Sequence, residues 1–389
     1  MNISYFTTHL PPDVHFGGVV HSGKALLIEL EKRVDNIKCL SVSKKPDAVI
    51  KYNNQSQIYC AKSIVLHRWG FAPGYQSLLK DHFQNTDLAL INGIMNYPMT
   101  LAGHFCIKHK IPYMVTLRGG LLPYGYARKH LRKKMFFDSF VHIILDNSST
   151  IHATCQEERD AVRNMGIIKA PITIISNGVD FPPNDITEQD LTADIREILK
   201  RKRIVLFMSR LDPIKGLDIL LDAWGNLSKY HQNFTLVIAG PDNCNYLKQL
   251  NQRVKKNNIE NSVFFPGTVR GRQKWSLYKY SDIFVLPTYS ENFGLVVGEA
   301  LACKTPVITT AETPWKNLPE NIGRIIKTNT KELENALINM ITKSPEQLHE
   351  MGTTGFKYVQ ENYSWDNISK KVLAVLNNII NKEPIPLNP

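Results

Sequence analysis

Short apolar runs alternate with amphipathic stretches along almost the whole chain. In the first half, residues 3–6, 63–66, 88–91, 113–117, 152–154 and 172–175 read as strands. In the second, 203–208, 235–239, 263–266, 283–286 and 306–309 repeat the theme. Stretches such as 216–224 and 245–256 lie between them, with apolar residues at helical spacing. Strands alternating with helices predict parallel α/β layers. The turn-rich segment 177–194, with Pro182, Pro183 and several acids, separates the two series and is the expected linker. Beyond 306–309 the pattern is mostly helical, ending in 365–380 and a Pro-rich tail. The pattern therefore predicts an α/β protein of two Rossmann-like domains facing each other across a cleft.

The 389 residues suffice for two such cores, and 43% hydrophobic with 21% charged residues is the composition of a soluble globular protein. Residues 1–10 are polar and lack the features of a secretory leader. No apolar run reaches the roughly 18 residues of a transmembrane helix, so a cytoplasmic location is expected. Six cysteines stand singly, without metal-binding spacing, and are expected as free thiols.

Charge changes the picture more. The net charge is +12, and residues 1–180 hold 21 Lys and Arg against 13 Asp and Glu, while 181–389 hold 26 against 22. A basic first half suits an anionic partner such as a membrane surface, a phosphorylated lipid or a nucleic acid. Within it, Arg128, Lys129, Arg132, Lys133 and Lys134 interleave with Leu131, Met135, Phe136 and Phe137. A basic amphipathic helix of this kind can lie on an anionic bilayer, or simply pack on its own domain.

The candidate chemistry sits just beyond the strands. Glu291 follows the run 283–286, at the carboxyl end of a strand where open α/β sheets bind ligands. A helix beginning near Gly294 carries Glu299 more than a turn further on. Two carboxylates so separated suit hydroxyl-rich groups at the two ends of a diphosphate, with the helix N-terminus between them offering N–H groups to phosphate, or they are simply an exposed loop acid and a helix-surface acid, the reading that spacing alone favours. Arg210 and Lys215 follow the run 203–208 and can neutralise that diphosphate and the charge on a departing nucleoside diphosphate, or stand as two solvated basic residues near a turn. No Asp-x-Asp motif occurs, so no carboxylate pair stands ready for a metal. Gly17 and Gly18 follow the first strand and permit close approach of a phosphate, or form a plain turn. Arg118-Gly119-Gly120 ends another strand, and His67-Arg68-Trp69-Gly70 sits beyond a third.

Together these residues resemble the family 4 retaining glycosyltransferases of the GT-B fold. The resemblance runs through Ser209 to Gly216, Ala239-Gly240-Pro241, Phe265-Pro266-Gly267, Ser281 to Pro287, and Glu291 to Glu299, the family's Glu-x7-Glu signature. Residues 175–180 resemble the segment that closes the N-terminal domain. The resemblance implies an acceptor domain at 1–180, joined by a final helix from about 365 to 389, and a nucleotide-sugar domain at 181–364. It further implies that Arg210 and Lys215 hold the donor diphosphate and that Glu291 binds the donor sugar, with help from Asn292, Phe293 and Gly294. Glu299 would bind the ribose, Gly267 would border the base, and Gly18 would approach the phosphate. Many members carry His-Gly where this chain has Arg118-Gly119. Arginine cannot serve as a base at neutral pH, so Arg118 is assigned an electrostatic role on the phosphate or on an anionic acceptor.

The implied reaction moves a sugar from a UDP- or GDP-sugar to a glycan or lipid-linked acceptor, with no cofactor and no metal, in bacterial surface polysaccharide or lipopolysaccharide assembly. Peripheral contact with the anionic inner membrane face is an expected partner; nucleic acid is not, since no recognition module appears. A nucleotide-sugar epimerase and a non-catalytic GT-B binding protein stay open as alternatives.

Overall fold

The apolar runs pair side by side as two sheets, each within its own unit of the chain. A computed structural model describes residues 1–8, 18–43, 50–51, 57–64, 69–122 and 130–389. Gly17, His67, Arg68, Arg128 and Lys129 lie outside the described residues. One unit comprises Met1–Gly178 with Trp365–Pro389, the other Val179–Ser364.

The first unit holds β1 (Asn2–Thr7), β2 (Asn36–Ser43), β3 (Ile50–Lys51), β4 (Gln57–Lys62), β5 (Leu88–Asn92), β6 (Tyr113–Thr116), β7 (Thr150–Ala153) and β8 (Ile172–Ile174). Their order is β3-β4-β2-β1-β5-β6-β7-β8, parallel except for the short β3. Side chains alternate across the sheet, so Ile3, Tyr5, Leu88, Leu90 and Met114 face one way and Phe6, Ala89, Ile91 and Val115 the other. On the first face they pack against the helix Gly18–Glu31, through Leu26, Leu27 and Leu30, and against the helix Trp365–Asn381, through Ile368, Val372, Val375 and Leu376. The last helix thus belongs to the core of the first unit.

The second unit holds β9 (Arg203–Met208), β10 (Phe234–Ala239), β11 (Val263–Gly267), β12 (Ile283–Leu286), β13 (Val307–Thr310) and β14 (Gly323–Ile326), in the parallel order β11-β10-β9-β12-β13-β14. β9 is the first strand, β10 extends the sheet to one side and β12 to the other. The order therefore reverses between β9 and β12, the place where open α/β sheets bind ligands beyond their carboxyl ends.

Three expectations need correction. Of the strand expected at 63–66, residues 65 and 66 lie outside the described residues, and Ser63 and Ile64 follow rather than belong to β4, whose pairing with β2 runs from Cys39 opposite Ile58 to Ser43 opposite Lys62; Ile64 is exposed. β2, β3 and β14 were not anticipated: polar residues mask the buried β2, β3 is only two residues long, and Gly323 and Arg324 leave β14 with just two apolar residues. The expected linker 177–194 contains the boundary between the units and half of its residues are exposed, but it is not a free tether: Val179 and Leu191 belong to the core of the second unit, and Ile186 is 2% exposed. None of the six cysteines forms a disulfide, and no described helix is long and apolar enough to cross a membrane.

Candidate functional site

Adjacency of β9 and β12 sets the loops that follow them side by side, and the expected site of the second unit is built there. After β9 the chain turns through a short 3-10 segment, Pro213–Lys215, capped by the buried Asp212 carboxylate accepting the Ile214 N–H at 3.1 Å. Gly216 then adopts φ +69°, and a Cβ there would stand 1.9 Å from the Pro287 carbonyl oxygen. Only glycine allows this approach. The two loops are stitched together where the Tyr289 N–H and the Thr288 hydroxyl both donate to the Ile214 carbonyl, at 2.8 and 2.9 Å.

That stitching brings Lys215 and Glu291 into contact. The Lys215 Nζ donates to Glu291 Oε2 at 2.5 Å, with the two side chains 7 and 18% exposed. The Asn292 N–H donates to the other Glu291 oxygen at 3.2 Å. Arg210 stands at the same lip with an open side chain, 55% exposed, its guanidinium 3.8 Å from Asp212. One cation is thus buried and paired while the other faces water.

The segment Asn292–Gly294 leads into the helix Leu295–Ala302, with Gly294 at φ +75° as its cap. The buried Trp315 fixes this turn, its indole N–H donating to the carbonyls of Phe293 at 2.7 Å and Gly294 at 3.2 Å. Glu299 lies on that helix, and both its oxygens are engaged from the helix Gly271–Lys279: Lys274 Nζ donates at 2.9 Å and the Tyr278 hydroxyl at 3.2 Å. Lys274 also lies 4.1 Å over the Trp275 ring. Burial, with the Glu299 charge beside it, pushes the Tyr278 phenol well up. Gly267 closes β11 at φ +76°, with open space where a side chain would stand.

In the first unit, Gly18 opens the helix Gly18–Glu31 and is exposed. Arg118 follows β6 at φ +54° and is only 8% exposed. Its Nε donates to Asn92 Oδ1 at 2.8 Å, its Nη1 donates to Asn177 Oδ1, and its Nη2 has no hydrogen-bond partner among the described residues. Beneath it the buried Glu158 accepts from the Gly119 N–H, and from the Thr154 N–H and hydroxyl at 2.6 and 2.7 Å. Burial lowers the Arg118 pKa and raises that of Glu158. Arg118 is therefore a buried cation tying strand ends together through neutral amides. Trp69 packs against Tyr97 and Phe136, ring centroids 6.0 and 5.6 Å away.

The second unit thus brings Arg210, Lys215 and Glu291 to one lip, with Asn292 to Gly294 and then Glu299 following. Sequence reasoning missed Lys274, Tyr278 and Trp315. The first two stand four apart on one helix, a spacing that places side chains on one face, but nothing in the sequence aims that face at Glu299.

Residues 188–358 match the model for the glycosyl transferases group 1, and residues 16–181 match that for Glycosyltransferase Family 4. An uncharacterized glycosyltransferase of Methanocaldococcus jannaschii is 31% identical over 189 residues, 45% of this chain and 44% of that protein. A probable sucrose-phosphate synthase of Thermosipho melanesiensis is 28% identical over 229 residues, 57% of this chain and 49% of that one. The chain spans about half the length of these curated relatives. Among solved structures, Anabaena HepE in complex with UDP and glucose shares the fold with a TM-score of 0.75 at 19% identity, over 97% of this chain and 100% of that one. Between them the two family models take in most of the sequence, one on each side of the boundary between the units, and the chain belongs to the family 4 glycosyltransferases of the GT-B fold.

Proposed function

We propose that this protein transfers a sugar, with retention of configuration and without a metal, from a UDP-sugar to a glycan or lipid-linked acceptor. The observation that carries this reading is the placement of Arg210 and the Lys215–Glu291 pair at the mouth of the helix Leu295–Ala302, with Glu299 further along it. UDP is preferred to GDP because solved relatives of the same fold are complexes with UDP and UDP-glucose.

Before donor arrives, Glu291 neutralises the buried Lys215 ammonium. A diphosphate entering beside them gives Lys215 a second anion and draws Arg210 in from water. Both cations then stabilise the charge that grows on the leaving nucleoside diphosphate, which is where electrostatic catalysis has most effect. Glu291, still held by Lys215 and the Asn292 N–H, accepts hydrogen bonds from donor-sugar hydroxyls, and the N–H groups of Phe293 and Gly294 serve the sugar and phosphate. Glu299 accepts from the ribose hydroxyls, and the open space at Gly267 borders the base. The leaving phosphate takes the acceptor proton on the same face as attack. Arg118, buried and always charged, orients the floor of the acceptor unit and moves no proton.

The excess of basic residues in 1–180 supports an anionic or lipid-linked acceptor, hence work at the inner membrane face in surface polysaccharide or lipopolysaccharide assembly. UDP release from a UDP-sugar in EDTA, with the product anomer read by NMR, tests the reaction. Acceptor-dependent release and an axial-to-axial or equatorial-to-equatorial outcome support it. Release that needs metal, inversion, or epimerisation without acceptor overturns it.

A further inference from the structure

Of the ten large apolar side chains exposed among the described residues, four fall within 131–143, Leu131 at 77%, Met135 at 70%, and Phe140 and Ile143 at 47%, and a fifth, Ile168 at 73%, is tied to the same segment through Asp146. Single exposed apolar residues need no explanation, but a cluster marks an interaction surface. Leu131, Met135, Ser139 and Ile143 follow one another at intervals of four. On an α-helix such a stripe drifts about 40° round the axis at each step, since each residue turns through about 100°. Here the helix His130–Phe136 passes into a π-helical turn, Phe137–Val141, before continuing as His142–Asp146. The wider turn takes back the drift and holds the stripe on one side, while Phe137, Val141 and Leu145, also four apart, stay buried on the other. Asp146, on the same side as Ile143, accepts the backbone N–H groups of Ile168 and Lys169 at 3.2 and 3.3 Å and seats both residues at the end of the stripe.

Cations border this apolar line. Arg132, Lys134 and Lys169 are exposed and Lys133 is half-buried. Of the acids on the same side, Asp138 is paired with Lys134 at 2.8 Å and Asp146 is spent on backbone amides, its side chain 8% exposed. The geometry points to this face as a docking surface for an anionic lipid bilayer, with Leu131, Met135, Ile143 and Ile168 entering the acyl boundary and the cations meeting the headgroups. A second copy of the chain fits the face poorly, because a two-fold contact sets Arg132, Lys133 and Lys134 against themselves. The surface deepens the lipid-linked acceptor reading and rests on that reading for its purpose.

The test is co-sedimentation of the full chain with vesicles of phosphatidylcholine alone or with 30% phosphatidylglycerol, about tenfold tighter binding being expected on the anionic vesicles. Leu131→Ser/Met135→Ser/Ile143→Ser is expected to lose at least tenfold in binding, and Arg132→Gln/Lys134→Gln to lose about fivefold per cation on anionic vesicles only. Both variants should keep the wild-type Tm, because the side chains changed are exposed, and should keep the Tm rise with UDP-sugar, which reports the second unit. Equal binding by wild type and the apolar variant, no vesicle binding at all, or a wild-type dimer that the apolar variant dissociates overturns the surface. Loss of the UDP-sugar response in wild type with vesicle binding intact overturns the donor reading alone.

Discussion

The Lys215 ammonium lies 2.5 Å from the Glu291 carboxylate and joins the loop after β9 to the loop after β12. Both groups are largely out of water, so each offsets the other's lost hydration. Removing one partner of a buried pair strands the other, at a cost of about 3 kcal/mol, whereas replacing both with apolar groups is often close to neutral. Lys215→Met is therefore expected to destabilise the second unit by roughly that amount in urea unfolding. Lys215→Met/Glu291→Leu should recover most of the stability and still fail to bind donor. Recovery of donor binding along with stability would show that the pair serves the fold alone.

Glu299 is held from two sides, with Lys274 on one oxygen and Tyr278 on the other. A carboxylate fixed this way has lone pairs left for a diol. Loss of a charged hydrogen-bond acceptor costs about 1.5–3 kcal/mol, so Glu299→Ala should weaken UDP binding about 10- to 100-fold. Wild type should bind UDP well above 2′-deoxy-UDP, and titration calorimetry should show that margin shrinking in Glu299→Ala. Lys274→Met should move the margin the same way by less, since Tyr278 still orients the carboxylate.

Gly216 lets the loop bearing Lys215 pass against the backbone of Pro287. Gly216→Ala puts a methyl group 1.9 Å from a carbonyl oxygen at φ +69°. Left-handed strain alone costs about 1–2 kcal/mol, and the overlap forces the loops apart in addition. Thermal unfolding should show a loss of at least 2 kcal/mol, and donor affinity should fall with it because Lys215 no longer reaches Glu291.

Acid should weaken the first unit through His152. Burial, with the Arg118 charge nearby, lowers its pKa from 6.5 to about 4. The neutral ring bridges the Ile175 carbonyl at 2.7 Å and the Thr116 hydroxyl at 3.1 Å. Because the folded value lies below the unfolded one, the unfolded chain binds the extra proton first. Stability is whole above about pH 6.5 and falls as pH drops from there towards 4, by at most about 3 kcal/mol. Urea unfolding of wild type and His152→Gln across this range checks it: the variant should lose that part of the slope.

The continuous apolar runs of β9, β10 and β12 were readable because strands covered on both faces need no polar alternation, and the loops after them carry Arg210, Lys215 and Glu291 at known distances from the strand ends. β2 was not readable, since Asn36, Lys38, Ser41 and Ser43 interrupt its apolar residues although most of the strand is buried. The direct contact of Lys215 with Glu291 depends on β9 lying beside β12, a fact of sheet order that no local pattern contains. Arg118 looked like an available cation from its place after a strand; that Asn92 and Asn177 would enclose it depends on residues 26 and 59 positions away. The π turn after Phe136 likewise has no signature in the basic helix that precedes it.

Thermal unfolding against UDP-, GDP-, ADP- and CMP-sugars in EDTA, on wild type and Glu299→Ala, tests the donor site most directly. A ligand at about 100 times its Kd adds roughly 2.7 kcal/mol, a plain rise in Tm. UDP-sugars alone should raise the Tm of wild type, and the rise should be lost in Glu299→Ala. No response to any nucleotide class, or the same response in both proteins, would contradict a nucleotide-sugar site built on Arg210, Lys215, Glu291 and Glu299.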